Sequence, residues 1–355
     1  MKKILQDLSL EELEAELVSQ GEKKYRAAQV YNGLLAGKTL EELPAVPGAL
    51  REKLKETYEN RPIAVEKVFT SSDGTEKYLF RLSDGNLIEG VLMKYKYGYT
   101  QCVSTQVGCR MGCKFCASTL GGLIRNLSAG EILSQILAVN ALHRCDPDLP
   151  GSGKEKRAVT NVVLMGSGEP LDNYENTVKF LRLLTSEKGI NMSARNISLS
   201  TCGVVPKMYE LAGENIPLNL TVSLHATNDE ERKRVMPIAN KYTIAEILKA
   251  CGNYFEKTGR RYYFEYTLID GENCDEAHAN ALAKLLKGKP CHVNLIRLNE
   301  VKERSLKATS DKNAYRFMGY LEKQGISATL RRQIGSDIGG ACGQLRAGYI
   351  EENEI

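Results

Sequence analysis

Short β-rich segments alternate with helical segments from about residue 100 onward, and this alternation constrains the fold more than any other feature of the sequence. The segments that predict strands are residues 100–106, 159–165, 197–201, 219–225, 261–269 and 292–298. The helical segments begin at capping signatures, which are Ser128 with Glu131, Asp172 with Glu175 and Thr243 with Glu246. This repeat predicts an α/β fold with a mostly parallel sheet, arranged as a partial (βα)6 barrel. In such a barrel the functional residues lie at the carboxyl ends of the strands.

The sequence before residue 100 has a different pattern. Ser9 with Glu12 forms a capping signature ahead of a helical apolar stripe, and turn signals at Asp73-Gly74 and Asp84-Gly85 indicate β-hairpins. The regions that these patterns predict are a helical accessory domain at 1–60, a hairpin linker at 61–99 and the main barrel domain at 100–355.

Composition indicates a cytoplasmic protein. The apolar runs, such as residues 160–166, are far shorter than the roughly 20 residues that a membrane helix needs, and residues 1–10 lack the apolar centre of a secretory signal. In the reducing cytosol, the ten cysteines are expected to be thiols, metal ligands or catalytic groups. The net charge of +4 fits a nucleic-acid partner without requiring one.

The spacing Cys109-x3-Cys113-x2-Cys116 is the strongest chemical signal in the chain. Three thiolates in one short loop suit a [4Fe-4S] cluster, because they hold three irons and leave the fourth open for a substrate. The alternative is structural zinc, which usually requires a fourth Cys or His from a second paired motif. The sequence contains no such second pair.

This cysteine spacing, with the aromatic Phe115 before the last cysteine, resembles the signature of the radical S-adenosylmethionine (SAM) superfamily. The resemblance implies that SAM chelates the open iron and is cleaved reductively to a 5′-deoxyadenosyl radical. Gly168-Glu169-Pro170 follows a predicted strand and resembles the superfamily element that receives the SAM amino group. An ionised glutamate suits that role.

A narrower resemblance spans nearly the whole chain. The blocks that carry it are Cys102-Val-Ser-Thr-Gln-Val-Gly-Cys109, Asn161 to Pro170, Leu199-Ser-Thr, Ser223-Leu-His225, Met236-Pro-Ile238 and Gly340-Ala-Cys-Gly-Gln-Leu345. Together they resemble the bacterial dual-specificity 23S rRNA and tRNA adenine-C2 methyltransferase family. Ser167 departs from the methionine common in that family, which bears on the shape of the SAM pocket.

The resemblance assigns the binding residues. It implies that the cluster is held by Cys109, Cys113 and Cys116, and that SAM contacts Gly168, Glu169, Ser200, Ser223, Leu224, His225 and Asn299. Taken without their motifs, Ser200 is an ordinary strand-end hydroxyl and His225 a hydrogen-bonded core histidine. The other cysteines are expected to have no function; they are Cys145, Cys202, Cys251, Cys274 and Cys291.

Three further residues receive catalytic roles from the resemblance. Cys342, in a glycine-rich loop, accepts a methyl group from one SAM, and the radical from a second SAM activates that methyl group to add to the adenine ring. Cys102 then releases the product by forming a disulfide with Cys342, while Glu89 removes the ring proton. Thiol attack requires access, so neither cysteine is expected to be enclosed in an apolar core.

The implied partners are 23S rRNA, at the peptidyl-transferase centre, and tRNA, at the adenosine 3′ of the anticodon. The 1–60 domain is expected to bind RNA through Lys23, Lys24 and Arg26. Near the expected active face, the basic residues that could contact phosphates are Arg125, Arg331, Arg332 and Arg346. An electron donor such as flavodoxin or ferredoxin and a monomeric state are also expected. Two alternatives remain open: a methyltransferase that modifies adenine C8 and confers antibiotic resistance, and a non-catalytic RNA-binding protein with a structural metal.

Overall fold

The computed structural model describes residues 2–96, 98–146, 149 and 157–346. The main region expected at 100–355 therefore includes residues 147–148, 150–156 and 347–355, which lie outside the described residues. Met1 and Tyr97 of the first two expected regions also lie outside them.

The amino-terminal region packs around its own apolar core. Its elements are β1 (Lys3–Ile4), α1 (Leu10–Ser19), α2 (Tyr25–Leu35), α3 (Gly48–Thr57) and β2 (Tyr58–Glu59), with β1 and β2 paired in parallel. The predicted cap of α1 is confirmed: the Glu12 N–H donates to Ser9 Oγ at 3.2 Å, and the Ser9 N–H donates to the Glu12 carboxylate at 2.7 Å. Leu13 and Leu17 of α1 are fully buried in a core with Leu34 of α2.

The predicted hairpins form three antiparallel strands, β3 (Ile63–Thr70), β4 (Glu76–Leu82) and β5 (Leu87–Tyr95). Gly74 and Gly85 take left-handed φ angles of 83° and 86° at the two turns, a conformation that glycine adopts without steric cost. The last hairpin strand, β5, pairs antiparallel with β6 (Gly98–Cys102). The hairpins thus extend the main sheet directly.

The strand expected over residues 100–106 is wrong in its second half. Strand β6 ends at Cys102, and a separate strand, β7 (Gln106–Gly108), pairs antiparallel with β8 (Leu123–Asn126). Ser104 lies at the break, where its Oγ donates to the Glu89 carbonyl at 2.6 Å and its N–H donates to Gln135 Oε1 at 2.9 Å. These buried polar bonds direct the backbone away from the sheet.

The parallel part of the sheet confirms the predicted fold class. Its further strands are β9 (Val159–Leu164), β10 (Ile197–Thr201), β11 (Asn219–Ser223), β12 (Tyr262–Leu268), β13 (Cys291–Arg297) and β14 (Ala328–Leu330). Within the described residues the sheet has ten strands in the order β14-β13-β12-β11-β10-β9-β6-β5-β4-β3. The six predicted strands, β6 and β9 to β13, are parallel and adjacent in chain order, as a partial barrel requires.

The remaining helices connect these strands. They are α4 (Ala129–Leu142), α5 (Tyr174–Thr185), α6 (Val205–Gly213), α7 (Asp229–Val235), α8 (Ile244–Thr258), α9 (Glu276–Leu286) and α10 (Asp311–Lys323). The caps at Ser128 and Thr243 are confirmed. The cap expected at Asp172 is wrong, because α5 begins after Asn173 and the Asp172 carboxylate instead accepts from Arg110 Nε at 2.9 Å. Within the described residues, every helix falls short of the length and apolarity needed to cross a membrane.

The amino-terminal region contacts the barrel at Gly130 of α4. The Gly130 N–H donates to Asp7 Oδ1 at 2.5 Å, and a Cβ at Gly130 would lie 2.7 Å from the Asp7 nitrogen and 2.8 Å from Ile4 Cγ2. We therefore expect Gly130→Val to lower the free energy of unfolding by about 1–3 kcal/mol, as overpacking does. The measurement is urea denaturation of the cluster-free protein.

Gly252→Ala in α8 is the matched control, because a Cβ there has no neighbour within 4 Å. This variant should be as stable as the parent or gain roughly 0.5–1 kcal/mol from the loss of backbone entropy in the unfolded state. Equal stability of the two variants would contradict the expectation that a side chain at Gly130 is overpacked.

Candidate active site

The three-cysteine loop follows β7 and is folded back on itself by backbone hydrogen bonds. The Cys109 N–H donates to the Gly122 carbonyl at 2.8 Å, and the Cys116 N–H donates to the Cys113 carbonyl at 3.2 Å. Gly108, just before the loop, has a φ of 75°, and a Cβ there would lie 2.0 Å from the Gly122 carbonyl oxygen. The close approach of the two loop ends therefore requires glycine.

Cys109, Cys113 and Cys116 line a first cavity, which has about 890 Å³ of empty volume at the carboxyl ends of the parallel strands. Among the described residues, no three or more His, Cys, Asp or Glu side chains are arranged to hold a single metal ion. A cubane cluster binds each thiolate at a separate iron, so its ligands do not have to meet at one point. The three thiols at this cavity fit such a cluster.

Gly168 and Glu169 follow β9 and line the first cavity. Gly168 has a φ of 106°, and a Cβ there would lie 2.6 Å from Gln106 Cβ. The Glu169 carboxylate accepts N–H groups from Cys202 at 2.7 Å and Leu171 at 3.0 Å. Burial raises the pKa of Glu169, and these donors oppose the rise. Its carboxylate is thus fixed at the cavity wall, next to a fully buried Ser167.

Ser200, Ser223 and His225 come from the next two strand ends and also line the first cavity. His225 is 3% exposed and has a left-handed φ of 56°, a conformation that is uncommon outside glycine. Its Nδ1 accepts the Thr267 N–H at 2.9 Å, and burial lowers its pKa to about 3. The ring is therefore neutral, as a hydrogen-bonded core histidine would be, while still facing the cavity. The predicted contact Leu224 is fully buried and lines neither this cavity nor the one described below.

Cys342 is held beside the cysteine loop by the carboxyl-terminal segment, defined as residues 341–346. The Ala117 N–H donates to the Gly343 carbonyl at 2.7 Å, and Ser118 Oγ donates to the Leu345 carbonyl at 2.7 Å. Asn299 Nδ2 donates to the Cys342 carbonyl at 3.0 Å. These bonds attach the segment to the loop that follows Cys116.

A second cavity, with about 1620 Å³ of empty volume, adjoins the first. Four residues line both cavities: Met165, Ile296, Asn299 and Cys342. Cys102 lines only the second. Cys342 therefore stands at the boundary between the two spaces and is accessible from each.

The expectation that both redox cysteines avoid an apolar core is wrong for Cys102. Cys342 is exposed, whereas Cys102 is 8% exposed and packs with Val91 and Leu345 in a small apolar cluster. Burial raises the pKa of the Cys102 thiol, and the nearby Cys342 thiol raises it further. Cys342 also has a raised pKa because surrounding protein displaces water from its sulfur, while the Arg331 guanidinium opposes that rise.

Glu89 lines neither of these two cavities. It is 6% exposed, and its carboxylate pairs with Lys77 Nζ at 3.0 Å and accepts the Arg346 N–H at 2.7 Å. Burial raises the pKa of Glu89, and the Lys77 charge opposes the rise. Val91 and Met93, spaced by two along the same strand, do line the second cavity. Glu89 therefore lies on the same face of strand β5 as Val91 and Met93, beneath the carboxyl-terminal segment.

Two residues that lie at the site were assigned no role from the sequence. Cys202, expected to be without function, lines the first cavity and packs against Cys113 and Met236. Glu265 lines the first cavity, accepts from Ser200 Oγ at 3.2 Å and pairs with Arg331 Nη1 at 3.2 Å. Glu265 lies in the interior of a predicted strand, and no motif marked it.

Comparisons with known proteins agree with these features. A family model described as the Radical SAM superfamily matches residues 103–282. The chain is 50% identical to the "Probable dual-specificity RNA methyltransferase RlmN" of Lachnoclostridium phytofermentans, over 98% of this chain and 95% of the relative. A protein of the same name from Clostridium botulinum is also 50% identical, over 100% of this chain and 99% of the relative.

A crystal structure of a radical SAM methyltransferase from Sphaerobacter thermophilus has a TM-score of 0.91 and 42% identity, covering 97% of this chain and 99% of that chain. The fold, the cysteine loop and these matches define the chain as a radical SAM enzyme. It belongs to the RlmN family of dual-specificity RNA methyltransferases. Membership of the superfamily implies a [4Fe-4S] cluster and SAM as its cofactors.

We expect alanine at Cys109, Cys113 or Cys116 to abolish cluster retention, because the loss of one thiolate leaves an iron without its protein ligand. Cys202→Ala is the matched control, since Cys202 lines the same cavity and packs against Cys113 but lies outside the loop. This control should retain iron and sulfide after anaerobic reconstitution. Full iron content in the three loop variants, or loss of the cluster in Cys202→Ala alone, would contradict the ligand assignment.

Proposed function

We propose that this protein methylates C2 of adenine in 23S rRNA and in tRNA, at the adenosine 3′ of the anticodon, through a methylated Cys342. The observation that carries the proposal is the position of Cys342 at the boundary of two cavities. A carrier thiol must be reached by a methyl donor on one side and by the nucleobase on the other. The names of the relatives, which state dual specificity toward RNA, support the choice of substrate.

The first cavity is proposed to hold the cofactors. Cys109, Cys113 and Cys116 would hold the cluster, and Gly168, Glu169, Ser200, Ser223, His225 and Asn299 would contact SAM. Leu224, which lines neither cavity, is not part of this proposed contact set. When bound, the cluster and SAM would supply the electron, the radical and the methyl group and would take back the electron that the adduct loses with its ring proton, with two SAM molecules used for each product. The Glu169 carboxylate, fixed by two N–H groups, suits a cationic amino group of SAM.

Cys342 is proposed to take up the methyl group as a thiolate. Arg331 favours that charged form electrostatically, and Asn299 holds the backbone of Cys342 in place. Because the same residue also lines the second cavity, the methylated sulfur would be presented to a base bound there without leaving its loop. An electron-poor ring carbon has no lone pair for polar methylation, which is why the group must be transferred as a carbon radical.

Cys102 is proposed to release the product. Its thiolate attacks the Cys342 sulfur and forms a disulfide, while the bond from that sulfur to the product carbon breaks. The electron pair of the broken bond stays on the product carbon, which takes up a proton to complete the methyl group. The burial of Cys102 in its apolar cluster disfavours its thiolate, whereas Arg331 favours it. The enclosed position also shields the Cys102 thiol from other thiols.

Glu89 is proposed to remove the ring proton. A carboxylate whose pKa is raised by burial is a better proton acceptor than an exposed one. Because Arg346 and Leu345 cover this strand face, the carboxyl-terminal segment must shift for Glu89 to come within hydrogen-bond reach of the base.

The second cavity is proposed to receive the target adenosine. Its lining includes four arginines, which are Arg195, Arg297, Arg331 and Arg332. Arg297 pairs with Asp311 and Arg331 with Glu265, so Arg195 and Arg332 are better suited to contact an RNA backbone. A base must be unstacked to enter such a cavity, which favours single-stranded loops. Arg125 and Arg346 are less suited to phosphate contacts than their sequence positions indicated, because they pair with Glu131 and Glu303.

We also propose that the protein acts in the cytoplasm as a monomer, with flavodoxin or ferredoxin as electron donor.

Cys102→Ala tests this mechanism, because it leaves both the first cavity and Cys342 in place. The substitution removes only the resolving thiol. After reaction with substrate RNA, SAM and reductant, followed by denaturation, we expect a protein–RNA cross-link. Peptide mapping should place it on Cys342 through a one-carbon bridge. Cys102→Ala combined with Cys342→Ala is the control and should form no cross-link. Parental turnover by the single variant, or a cross-link on another residue, would refute the two-cysteine mechanism.

A further inference from the structure

Arg232, on α7, is a fully buried cation among neutral hydrogen-bond partners. Its side chain is 0% exposed, and it donates only to backbone carbonyls: Nε to Leu224 at 3.2 Å, and Nη2 to Cys202 at 2.6 Å and Ser223 at 3.0 Å. Its Nη1 is buried and has no acceptor within the described part of the chain. Among those same residues, Arg232 forms no ion pair with a carboxylate.

An unpaired buried charge is costly, by several kcal/mol as a rule, so a protein seldom retains one without a nearby anion. A guanidinium cannot avoid this cost by losing its proton. The carbonyls of Leu224, Cys202 and Ser223 satisfy part of the hydrogen-bonding capacity of Arg232, but they carry no net charge. A negative group close to Arg232 would offset this cost, and the Asp229 carboxylate on the same helix supplies part of that negative charge.

The cysteine loop lies close to Arg232. Cys202, whose carbonyl accepts from Arg232, packs its side chain against the predicted cluster ligand Cys113. Burial lowers the pKa of Arg232, and the Cys202 and Cys113 sulfurs are the first groups to oppose that change. Three cysteine thiolates carry three negative charges into this region when they hold a cluster.

We propose that Arg232 is the fixed counter-charge of the iron–sulfur cluster and raises its reduction potential. The inference rests on the proposed cluster ligands. One-electron reduction by an external carrier adds one negative charge to the cluster, and a cation in a region of low dielectric constant stabilises that added charge. Arg232 also ties the strand ends at Ser223 and Cys202 together, so it acts as a positioning residue for the first cavity.

The test compares Arg232→Gln with Arg232→Lys. Both variants shorten the side chain and keep a donor for a backbone carbonyl, but only lysine keeps the charge. Lys233→Gln is the matched control, because Lys233 lies on the same helix and pairs with Glu230 at the surface. After anaerobic reconstitution, iron content and the midpoint potential are measured by a mediated redox titration followed by electron paramagnetic resonance.

We expect Arg232→Gln to have a more negative potential than the parent, Arg232→Lys to lie closer to the parent, and Lys233→Gln to be unchanged. Equal potentials in the parent and Arg232→Gln, with equal iron content, would overturn the inference. If the parent itself held no iron, the cluster assignment would fail instead, which separates the two hypotheses.

Thermal unfolding of each variant, with and without the cluster, covers the case in which Arg232→Gln loses iron. We expect its loss of Tm relative to the parent to be larger in the loaded protein than in the cluster-free protein. For Arg232→Lys, the additional loss of Tm in the loaded protein should be smaller. An equal loss in both states, or failure of Arg232→Gln to fold before any cluster is added, would make Arg232 a purely structural residue and overturn the proposal.

Discussion

The common direction of strands β6 and β9 to β13 is the constraint on which the candidate site depends. Parallel strands end at one edge of the sheet, so residues far apart in sequence, such as Glu169, Ser200 and Ser223, meet at the first cavity. The pairing register places Ser200 opposite Thr221 and Ser223 opposite Glu265. A shift of one residue would turn each of these side chains to the opposite face of the sheet. The geometry of the site is therefore a direct consequence of the strand pairing.

The carboxyl-terminal segment adds the Cys342 thiol to the candidate site, which a partial barrel alone would lack. Its bonds to Ala117 and Ser118 attach Cys342 to the loop that carries the cysteine ligands. This attachment divides the concave side of the sheet into two cavities that share one thiol. In the proposed mechanism, this division would separate the cofactors from the nucleobase, and methyl transfer between them would depend on the Cys342 side chain.

Much of this architecture was predictable from the sequence, because periodicity, capping residues and cysteine spacing are local signals. Such local signals predicted the strands at 159–164 and 197–201 and the caps at Ser128 and Thr243. Cys202 and Arg232 were not predictable, since their importance comes from packing against the cysteine loop across the sheet edge. The enclosure of Cys102 likewise depends on Leu345. Contacts between distant segments leave no periodic trace in the sequence.

The central claim is that a methyl group reaches adenine C2 by way of Cys342, and the position of that group in the product tests it most directly. The parent protein, reconstituted anaerobically with its cluster, would be given SAM, a one-electron reductant and RNA with the target adenosine in a single-stranded loop. Digestion and mass spectrometry against synthetic standards distinguish 2-methyladenosine from 8-methyladenosine. We predict that the product is 2-methyladenosine and that it is absent when Cys342 is replaced by alanine. Formation of 8-methyladenosine, or of 2-methyladenosine without Cys342, would contradict it.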